Sequence, residues 1–242
     1  MSRFELYSPE GIRVDGRRFN ELRQFQAQIN THPKAADGSS YVQQGNSKVL
    51  CLINGPVEQN SSSSGEGPIL NVNIDLLPFA GVERKRRTRN DRRISELCIT
   101  LQRCFLKTIV LKNYSRTIID INLSVLALDG GLLSCCCNAI TLALIDAGVA
   151  LYDYVSSVTV GLYDTTPLLD LNTLEENDLS FVTMGIVGDS DKIGLLLLED
   201  RLPLDKLESV LSIGIEGCHR IKELMDDVVR NFGIDYVEKQ QL

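Results

Sequence analysis

The feature that most constrains the fold is an almost wholly apolar stretch, 132–147, which follows the turn Asp129-Gly130-Gly131 and ends at Gly148. Its composition and length predict a helix, and Gly148 fits a left-handed C-cap. A helix without a polar face must be buried on most sides, so the rest of the chain has to surround it. No apolar run in the chain approaches the roughly 20 residues that a membrane-spanning helix needs.

Alternation of apolar and polar residues predicts the strands that could supply this cover. In the first half, strands are expected from Phe25, at 41–44 and 48–54 around a hairpin turn at 45–47, at 70–76 and at 116–128. In the second half they are expected at 157–163, 179–187 and 193–199. The Ser- and Gly-rich segment 59–67 is predicted to be a loop within the sheet region.

Two further helices are predicted from the 3.6-residue apolar period. The first covers 94–111, has Asp91 as a plausible N-cap, and places on one face Leu97, Leu101, Cys104, Phe105 and Thr108. The second runs from Leu204 to about Arg230, and the tail from Gly233 is expected to be loosely held. The order of elements indicates sheets covered by helices, in a single domain of residues 1–242 whose halves, 1–150 and 151–242, repeat one plan.

A dense basic segment interrupts this otherwise acidic chain. Seven of the ten residues from Arg84 to Arg93 are basic, whereas the whole chain has a net charge of −7. They are Arg84, Lys85, Arg86, Arg87, Arg89, Arg92 and Arg93. This segment lies at the start of a predicted helix, where the macrodipole disfavours cations. A polyanion bound to the basic residues would compensate this cost, and nucleic-acid phosphate is the leading candidate. The alternative is a solvated loop that tolerates the charge.

The cysteines and glycine motifs argue against a metal or a cofactor. The seven cysteines include no CxxC pair, and the three adjacent ones, 135–137, would point about 100° apart on a helix. We therefore expect small, buried, reduced residues. There is no P-loop and no GxGxxG motif, so we expect no cofactor. Residues 1–10 lack the apolar core of a signal peptide, which predicts a location in cytosol or nucleus.

Two places could nevertheless carry chemistry. The turn at 129–131 leads from a strand into a helix, where free backbone N–H groups can bind an anion. Leu132 and Leu133 follow it and only Ser134 offers a hydroxyl, so the charged side chain that a phosphate dianion needs is missing. The second place is a set of carboxylates that could hold Mg²⁺ or act as acid and base, or that could be solvated charges in an exposed loop. They are Asp164, Asp170, Glu175, Glu176 and Asp178.

Several short segments, in the right order over nearly the whole chain, resemble the RNase PH family. They are Arg13-x-Asp15-Gly16-Arg17-Arg18, Ala36-Asp37-Gly38-Ser39-Ser40-Tyr41, Gly45-Asn46-Ser47-Lys48-Val49, the Asn54-Gly55-Pro56 turn, Asp91-Arg92-Arg93 with Glu96, Asp129-Gly130-Gly131, and Leu144-Ile145-Asp146-Ala147-Gly148. Segments 163–170 and 172–177 also resemble RNA exosome ring subunits of yeasts. The resemblance implies an α+β, sandwich-like fold of mixed sheets packed with helices, with an internal pseudo-repeat, similar to ribosomal protein S5 domain 2.

The chain departs from the family where phosphorolysis needs side chains. Active members bind phosphate at a Gly-Gly-[Ser/Thr]-Arg loop, and here Gly130-Gly131 is followed by Leu132, Leu133 and then Ser134. The resemblance implies a degenerate phosphate site there, and Leu133 is expected to desolvate phosphate without compensation. In the family's acidic motif, Asp170 fills the first place, Asn172 replaces the second, and Glu176 stands at the third unless an insertion brings in Asp178. A degenerate metal site at Asp170 and Glu176, holding no metal, is implied.

Three functions remain open from the sequence. The first is a non-catalytic subunit of a six-membered exosome ring, paired with another RNase PH-like chain, capped by other proteins and serving a separate hydrolytic nuclease. In such a ring the basic segment would bind single-stranded RNA, and Arg92 and Arg93 match the family's RNA-facing pair. The RNA would be threaded for 3′-to-5′ degradation, in rRNA maturation and mRNA turnover. The expected locations are nucleus, nucleolus and cytoplasm. The second is an active phosphate-dependent 3′–5′ exoribonuclease. The third is a structural ring member that never contacts RNA.

Overall fold

A computed structural model describes residues 6–58, 68–84, 91–190 and 192–240. The strands are β1 (Phe25–Ile29), β2 (Gly38–Gln44), β3 (Ser47–Glu58), β4 (Ile69–Leu76), β5 (Thr117–Ala127), β6 (Val155–Tyr163), β7 (Thr166–Leu169), β8 (Ser180–Val187) and β9 (Ile193–Leu198). The α-helices are α1 (Arg92–Thr108), α2 (Leu132–Asp146), α3 (Thr173–Asp178) and α4 (Leu204–Gln240).

The strands form two sheets. The first has five strands in the order β1-β2-β3-β5-β4, and the second has four in the order β7-β6-β8-β9. All described pairs are antiparallel except β4 with β5. The hairpin of β2 and β3 closes at the pair Gln44 and Ser47, as the turn residues predict. The mixed α+β architecture with helices packed on sheets is thereby confirmed, although the two sheets differ in strand number and order.

Helix α2 lies between the two sheets and is the centre of the core. It packs against β2 and β3 on one side and against β6 and β8 on the other, and twelve of its fifteen residues are buried. The polar ones among them are paired: Asn138 exchanges hydrogen bonds with the backbone of Ser157, at 3.0 and 2.9 Å, and Thr141 donates to Val155 O at 2.8 Å. The sequence expectation of a helix buried on most sides is confirmed.

The three adjacent cysteines are fully buried in this helix, as predicted for small core residues. Burial raises the pKa of Cys135 to about 12 and, on α4, the pKa of Cys218 to about 12. At neutral pH these thiols are therefore protonated and chemically inert.

Several local predictions are confirmed. The Asp91 side chain accepts a hydrogen bond from Arg93 N at 3.1 Å and caps α1. The five apolar-face residues predicted for this helix are its buried ones, Leu97, Leu101, Cys104, Phe105 and Thr108. Gly148 follows α2 with φ +67°, and its N–H donates to Ile145 O at 3.1 Å, which is the geometry of a left-handed C-cap.

Other predictions are wrong. Residues 164–178 are not an exposed loop but contain β7 and α3, which the short length of both elements hides from a periodicity search. Helix α4 continues past its predicted end near Arg230 to Gln240, and residues 233–238 are exposed. Phe232 and Tyr236 lie one turn apart with ring centroids 6.3 Å apart, and such pairs support a helix. The predicted loop 59–67 lies outside the described residues. Among the described helices none is long and apolar enough to span a membrane.

The contact between β2 and α2 yields a stability prediction. A Cβ on Gly38 would lie 2.6 Å from Ala147 Cβ and 2.7 Å from Ala147 N, and would also meet the carbonyl oxygen of Ala143. Gly38→Ala is expected to lower the free energy of unfolding by about 1–3 kcal/mol, because overpacking forces the strand away from the helix. Chemical denaturation followed by circular dichroism measures this.

The matched control is Gly233→Ala, since a Cβ at Gly233 meets nothing within 4 Å. In the interior of α4 this change is expected to stabilise by about 0.5–1 kcal/mol. Equal effects of the two substitutions would show that the close approach at Gly38 does not limit the packing of α2.

Candidate functional site

The Gly130-Gly131 turn is held in a left-handed conformation at the start of α2. The φ angles are +76° for Gly130 and +63° for Gly131, values that favour glycine. A Cβ on Gly130 would lie 2.5 Å from Leu171 O, so the backbone after β7 presses directly on the turn. Ser47 Oγ donates to Gly130 O at 2.7 Å and accepts from Asp129 N at 2.9 Å. The turn is thus fixed from two sides.

A carboxylate occupies the N-terminus of α2. Gly131 is the N-cap residue and offers no side chain, and its N–H donates to Glu176 Oε1 at 2.6 Å. Burial raises the pKa of Glu176, while this hydrogen bond and the charges of Arg23 and Arg93 act in the opposite direction. The anion-binding geometry predicted for the turn is present, and its ligand in the structure is a side chain of the same protein.

The residues that follow the turn face the core. Leu133 is only 4% exposed and belongs to the main apolar cluster, so it does not line an open pocket. The expectation that Leu133 desolvates a phosphate bound beside it therefore has to be corrected. Leu132 is half-buried against the same cluster, and Ser134 is buried with its hydroxyl donating back to Gly131 O at 2.9 Å.

Asp170 is a structural residue in this arrangement. It is fully buried with φ +55°. Its Oδ1 accepts from Arg23 Nη2 at 2.8 Å and from Gln44 Nε2 at 2.9 Å, and its Oδ2 accepts from Arg23 N at 2.8 Å. Burial lowers the pKa of the Arg23 guanidinium, but the negative charge of Asp170 and its hydrogen bond raise this pKa by more, so the net shift is upward. Both oxygens of this predicted metal ligand are thus engaged by protein donors.

A second buried ion pair lies next to the first. Arg13 donates through Nε to Glu175 Oε1 at 2.7 Å and through Nη2 to Glu175 Oε2, and both side chains are inaccessible to solvent. The same guanidinium donates to Leu169 O at 2.5 Å and to Asp170 O at 3.0 Å. Glu175 also completes a capping box with Asn172 at the start of α3. The N-terminal segment thereby clamps the region between β7 and α3.

The five predicted carboxylates are not brought together as a metal site. Asp170 and Glu175 pair with arginines, Glu176 caps α2, and Asp164 and Asp178 are exposed. In the part of the chain that the structure describes, no group of three or more His, Cys, Asp or Glu side chains could hold a metal ion. Neither alternative raised by the sequence, a metal site or a solvated loop, describes Asp170 and Glu175.

The start of α1 carries the described part of the basic segment. The side chains of Arg92 and Arg93 are 93% and 74% exposed, and Arg84 is also exposed. Arg92 Nε donates to Glu96 Oε1 at 3.0 Å, and Arg93 Nη2 lies 3.6 Å from Glu199 Oε2. Surface pairs of this kind contribute little and exchange readily, so both guanidinium groups can reach a ligand. Lys85, Arg86, Arg87 and Arg89 lie outside the described residues.

A groove of about 920 Å³ separates the start of α1 from α3. Its walls come from the end of β4, the segment that follows it, and the two helices, and include Asn73, Leu77, Asp91, Ser95, Thr173 and Asn177. The first turns of α1 and α3 therefore face one cleft, and its charged lining residues are the acidic Asp75, Glu83 and Asp91.

Sequence reasoning missed the arginine partners of this site. In the sequence, Arg13 and Arg17 stand out only as part of a motif and Arg23 does not stand out at all, because long-range ion pairs leave no local signal. One signal was present: Asn172 followed three residues later by Glu175 is a capping-box pattern, and it predicts the start of α3.

Two family descriptions match this chain. The "3′ exoribonuclease family, domain 1" matches residues 21–150, and "domain 2" of the same family matches residues 153–217. The chain belongs to this family, the RNase PH family, and the resemblance in its sequence motifs is confirmed.

Named relatives support the same assignment. The chain is 54% identical to "Exosome complex component SKI6" of Saccharomyces cerevisiae, with 95% of each chain covered. It is 41% identical to "Exosome complex component ski6" of Schizosaccharomyces pombe, with 95% of this chain and 96% of the relative covered. Among solved structures, rice (Oryza sativa) Rrp46 superposes with a TM-score of 0.78 at 25% identity and covers 88% of this chain and 98% of the rice chain.

The buried pair of Arg13 and Glu175 yields a second prediction. Glu175→Gln leaves the Arg13 charge buried without a counter-charge, which is expected to lower the free energy of unfolding by about 3–5 kcal/mol. The matched control is Glu216→Gln, whose partner Arg220 is bonded at 2.5 Å on the surface of α4; its expected cost is below about 1 kcal/mol. Thermal and urea unfolding of both variants measure the difference. Similar costs would mean that the buried pair does not fasten the N-terminal segment.

Proposed function

We propose that this chain is a non-catalytic subunit of an exosome ring that binds and threads single-stranded RNA. The ring role is supported by the exosome components among its relatives. The observation that carries the non-catalytic part is Leu133, which stands at the place of the loop arginine, is buried in the main apolar cluster and offers phosphate no charge. In the acidic motif, Asn172 replaces the second carboxylate, and Asp170 is paired with Arg23.

The RNA-binding part is supported by the charge at the start of α1. Arg92 and Arg93 lie in the first turn of this helix, and their side chains are exposed to solvent. Contacts to the phosphate backbone carry no base preference and are strongly salt-dependent, which suits a conduit for many RNAs. In the proposed assembly, single-stranded RNA passes a six-membered ring with cap proteins, in which this chain pairs with another RNase PH-like subunit, to a separate hydrolytic nuclease. Its proposed locations are nucleus, nucleolus and cytoplasm.

The RNA path is tested by charge reversal. Arg92→Glu with Arg93→Glu is expected to lower RNA crosslinking to this subunit in the assembled ring at least about tenfold and to reduce the salt dependence of binding, because two phosphate contacts are lost. Acidic residues suit a helix N-terminus, so the thermal stability of the subunit is expected to change little.

The control places the same charge change away from this end of α1, as Lys107→Glu in the last turn of the helix with Lys112→Glu just beyond it, two exposed positions. Crosslinking in this control is expected to match the unmodified ring. Undiminished crosslinking in the Arg92 and Arg93 variant would instead support a structural ring member that does not contact RNA.

The non-catalytic role is tested by phosphorolysis. The purified chain and the assembled ring without its hydrolytic nuclease are expected to release no nucleoside diphosphates from RNA in inorganic phosphate, as measured by chromatography. Steady diphosphate release by the unmodified chain would refute the proposal and identify an active exoribonuclease.

A further inference from the structure

The first turn of α1 carries a hydroxyl group directly after its two exposed arginines. The sequence there is Arg92-Arg93-Ile94-Ser95, and Ser95 is exposed to solvent. Among the serines and threonines of the chain, only Ser95 and Thr88 have a basic residue both two and three positions before them. Thr88 lies outside the described residues, so Ser95 is the one such hydroxyl that the structure describes.

Two cations at these positions are a recognition feature for one class of enzyme. Protein kinases with an acidic substrate groove bind basic residues two and three positions before the hydroxyl that they modify, because opposite charges attract and fix the register of the substrate. The side chains of Arg92 and Arg93 are 93% and 74% exposed. Their partners, Glu96 and Glu199, are also exposed, and such surface pairs exchange readily. Both guanidinium groups are therefore available to an acidic groove.

A kinase binds its substrate in an extended form, and the first turn of α1 is held by few bonds. Ser95 N and Ser95 Oγ each donate to Asp91 O at 3.0 Å, and Arg93 N donates to Asp91 Oδ1 at 3.1 Å. All three bonds end on Asp91, which is exposed. Helix ends open locally at little cost. Release of Asp91 thus frees Ser95 while the buried residues of α1, which begin at Leu97, stay in place.

A phosphate on Ser95 would change the charge at this end of α1. It adds a charge of about −1.5 to −2 at neutral pH, which is close in size to the combined charge of Arg92 and Arg93. Residues three apart on a helix are neighbours, so Arg92 can pair with the phosphate instead of Glu96. An anion in the first turn also complements the macrodipole, so α1 is expected to remain helical in the modified chain.

The groove beside Ser95 strengthens this effect. Ser95 lines it together with the carboxylates of Asp75, Glu83 and Asp91, and none of the described residues that line it is basic. The phosphate would therefore take its counter-charge from the arginines that precede it in the sequence. These are the groups to which the proposed function assigns RNA.

We propose that Ser95 is a phosphorylation site for a serine/threonine kinase that recognises basic residues, and that its modification weakens RNA binding at the start of α1, a step that rests on the RNA-binding role proposed above. Ser95 Oγ forms a bond to the γ-phosphorus of ATP, while the bond from that phosphorus to the oxygen that bridges to the β-phosphate breaks. The hydroxyl proton passes to a base of the kinase, and ADP leaves. RNA then meets a phosphate of like charge beside two arginines that are already paired.

The modification is tested by incubating the purified chain with ATP, Mg²⁺ and the catalytic subunit of cyclic-AMP-dependent protein kinase, followed by phosphopeptide mass spectrometry. Ser95 is expected to be phosphorylated in the unmodified chain and in Thr88→Ala, which removes the other hydroxyl with the same pattern. A synthetic peptide of residues 89–99 is the unfolded reference. Absence of phosphate from Ser95 of the folded chain would overturn the proposal, whether the peptide or Thr88 is modified or not.

The effect on RNA is measured by crosslinking in rings assembled with the Thr88→Ala chain that has been phosphorylated beforehand. This subunit is expected to crosslink at least about fivefold less RNA than in the same ring treated with phosphatase, because contacts to the RNA backbone depend on the net positive charge. The matched control is Thr88→Ala with Ser95→Ala, taken through the same kinase treatment, which is expected to match the untreated ring.

Unchanged crosslinking after phosphorylation of Ser95 would overturn the regulatory step. The variant with Arg92→Glu and Arg93→Glu separates the two possible failures. If it also leaves crosslinking unchanged, the proposed RNA-binding function has failed. If it lowers crosslinking and the phosphate does not, the failure is confined to Ser95.

Discussion

The structure depends on the burial of one apolar helix between two sheets. Helix α2 cannot face water on any substantial side, and neither sheet alone could cover it, so the two halves of the chain must fold around it together. Two of its polar side chains, Asn138 and Thr141, are paired with the backbone of β6 in the second sheet, which fixes its rotation. The N-terminus of this helix therefore has a fixed position, and so does the turn at Gly130 and Gly131 that leads into it.

The N-terminal segment supplies the second constraint. Arg13 and Arg23 are buried with Glu175 and Asp170 as their counter-charges, and they connect the first residues of the chain to the region between β7 and α3. Buried ion pairs are costly to desolvate, so we expect these pairs to contribute more to the position of α3 than to stability. They hold α3 against the turn at Gly130 and Gly131. In this way Asp170 and Glu175 form part of the scaffold that positions α3.

Much of the fold could be predicted from local patterns. Alternation located the long strands, the apolar period placed the buried face of α1, and Gly148 marked the end of α2, because each of these signals lies within a few residues. Elements of four to six residues, such as β7 and α3, were missed since they are too short to show a period. The site was predicted in part: the turn and its missing cation were found, but the contact of Glu176 with Gly131 depends on packing between distant segments.

The buried thiols have a consequence for how the molecule can be followed in solution. Of the seven cysteines, six are buried and only Cys98 is partly accessible. A thiol-directed alkylating reagent needs a thiolate at the surface, so in the native chain it meets Cys98 first and reaches the others only in molecules that have opened. The order and rate of cysteine modification would therefore report local opening of α1, α2 and α4 without any added label.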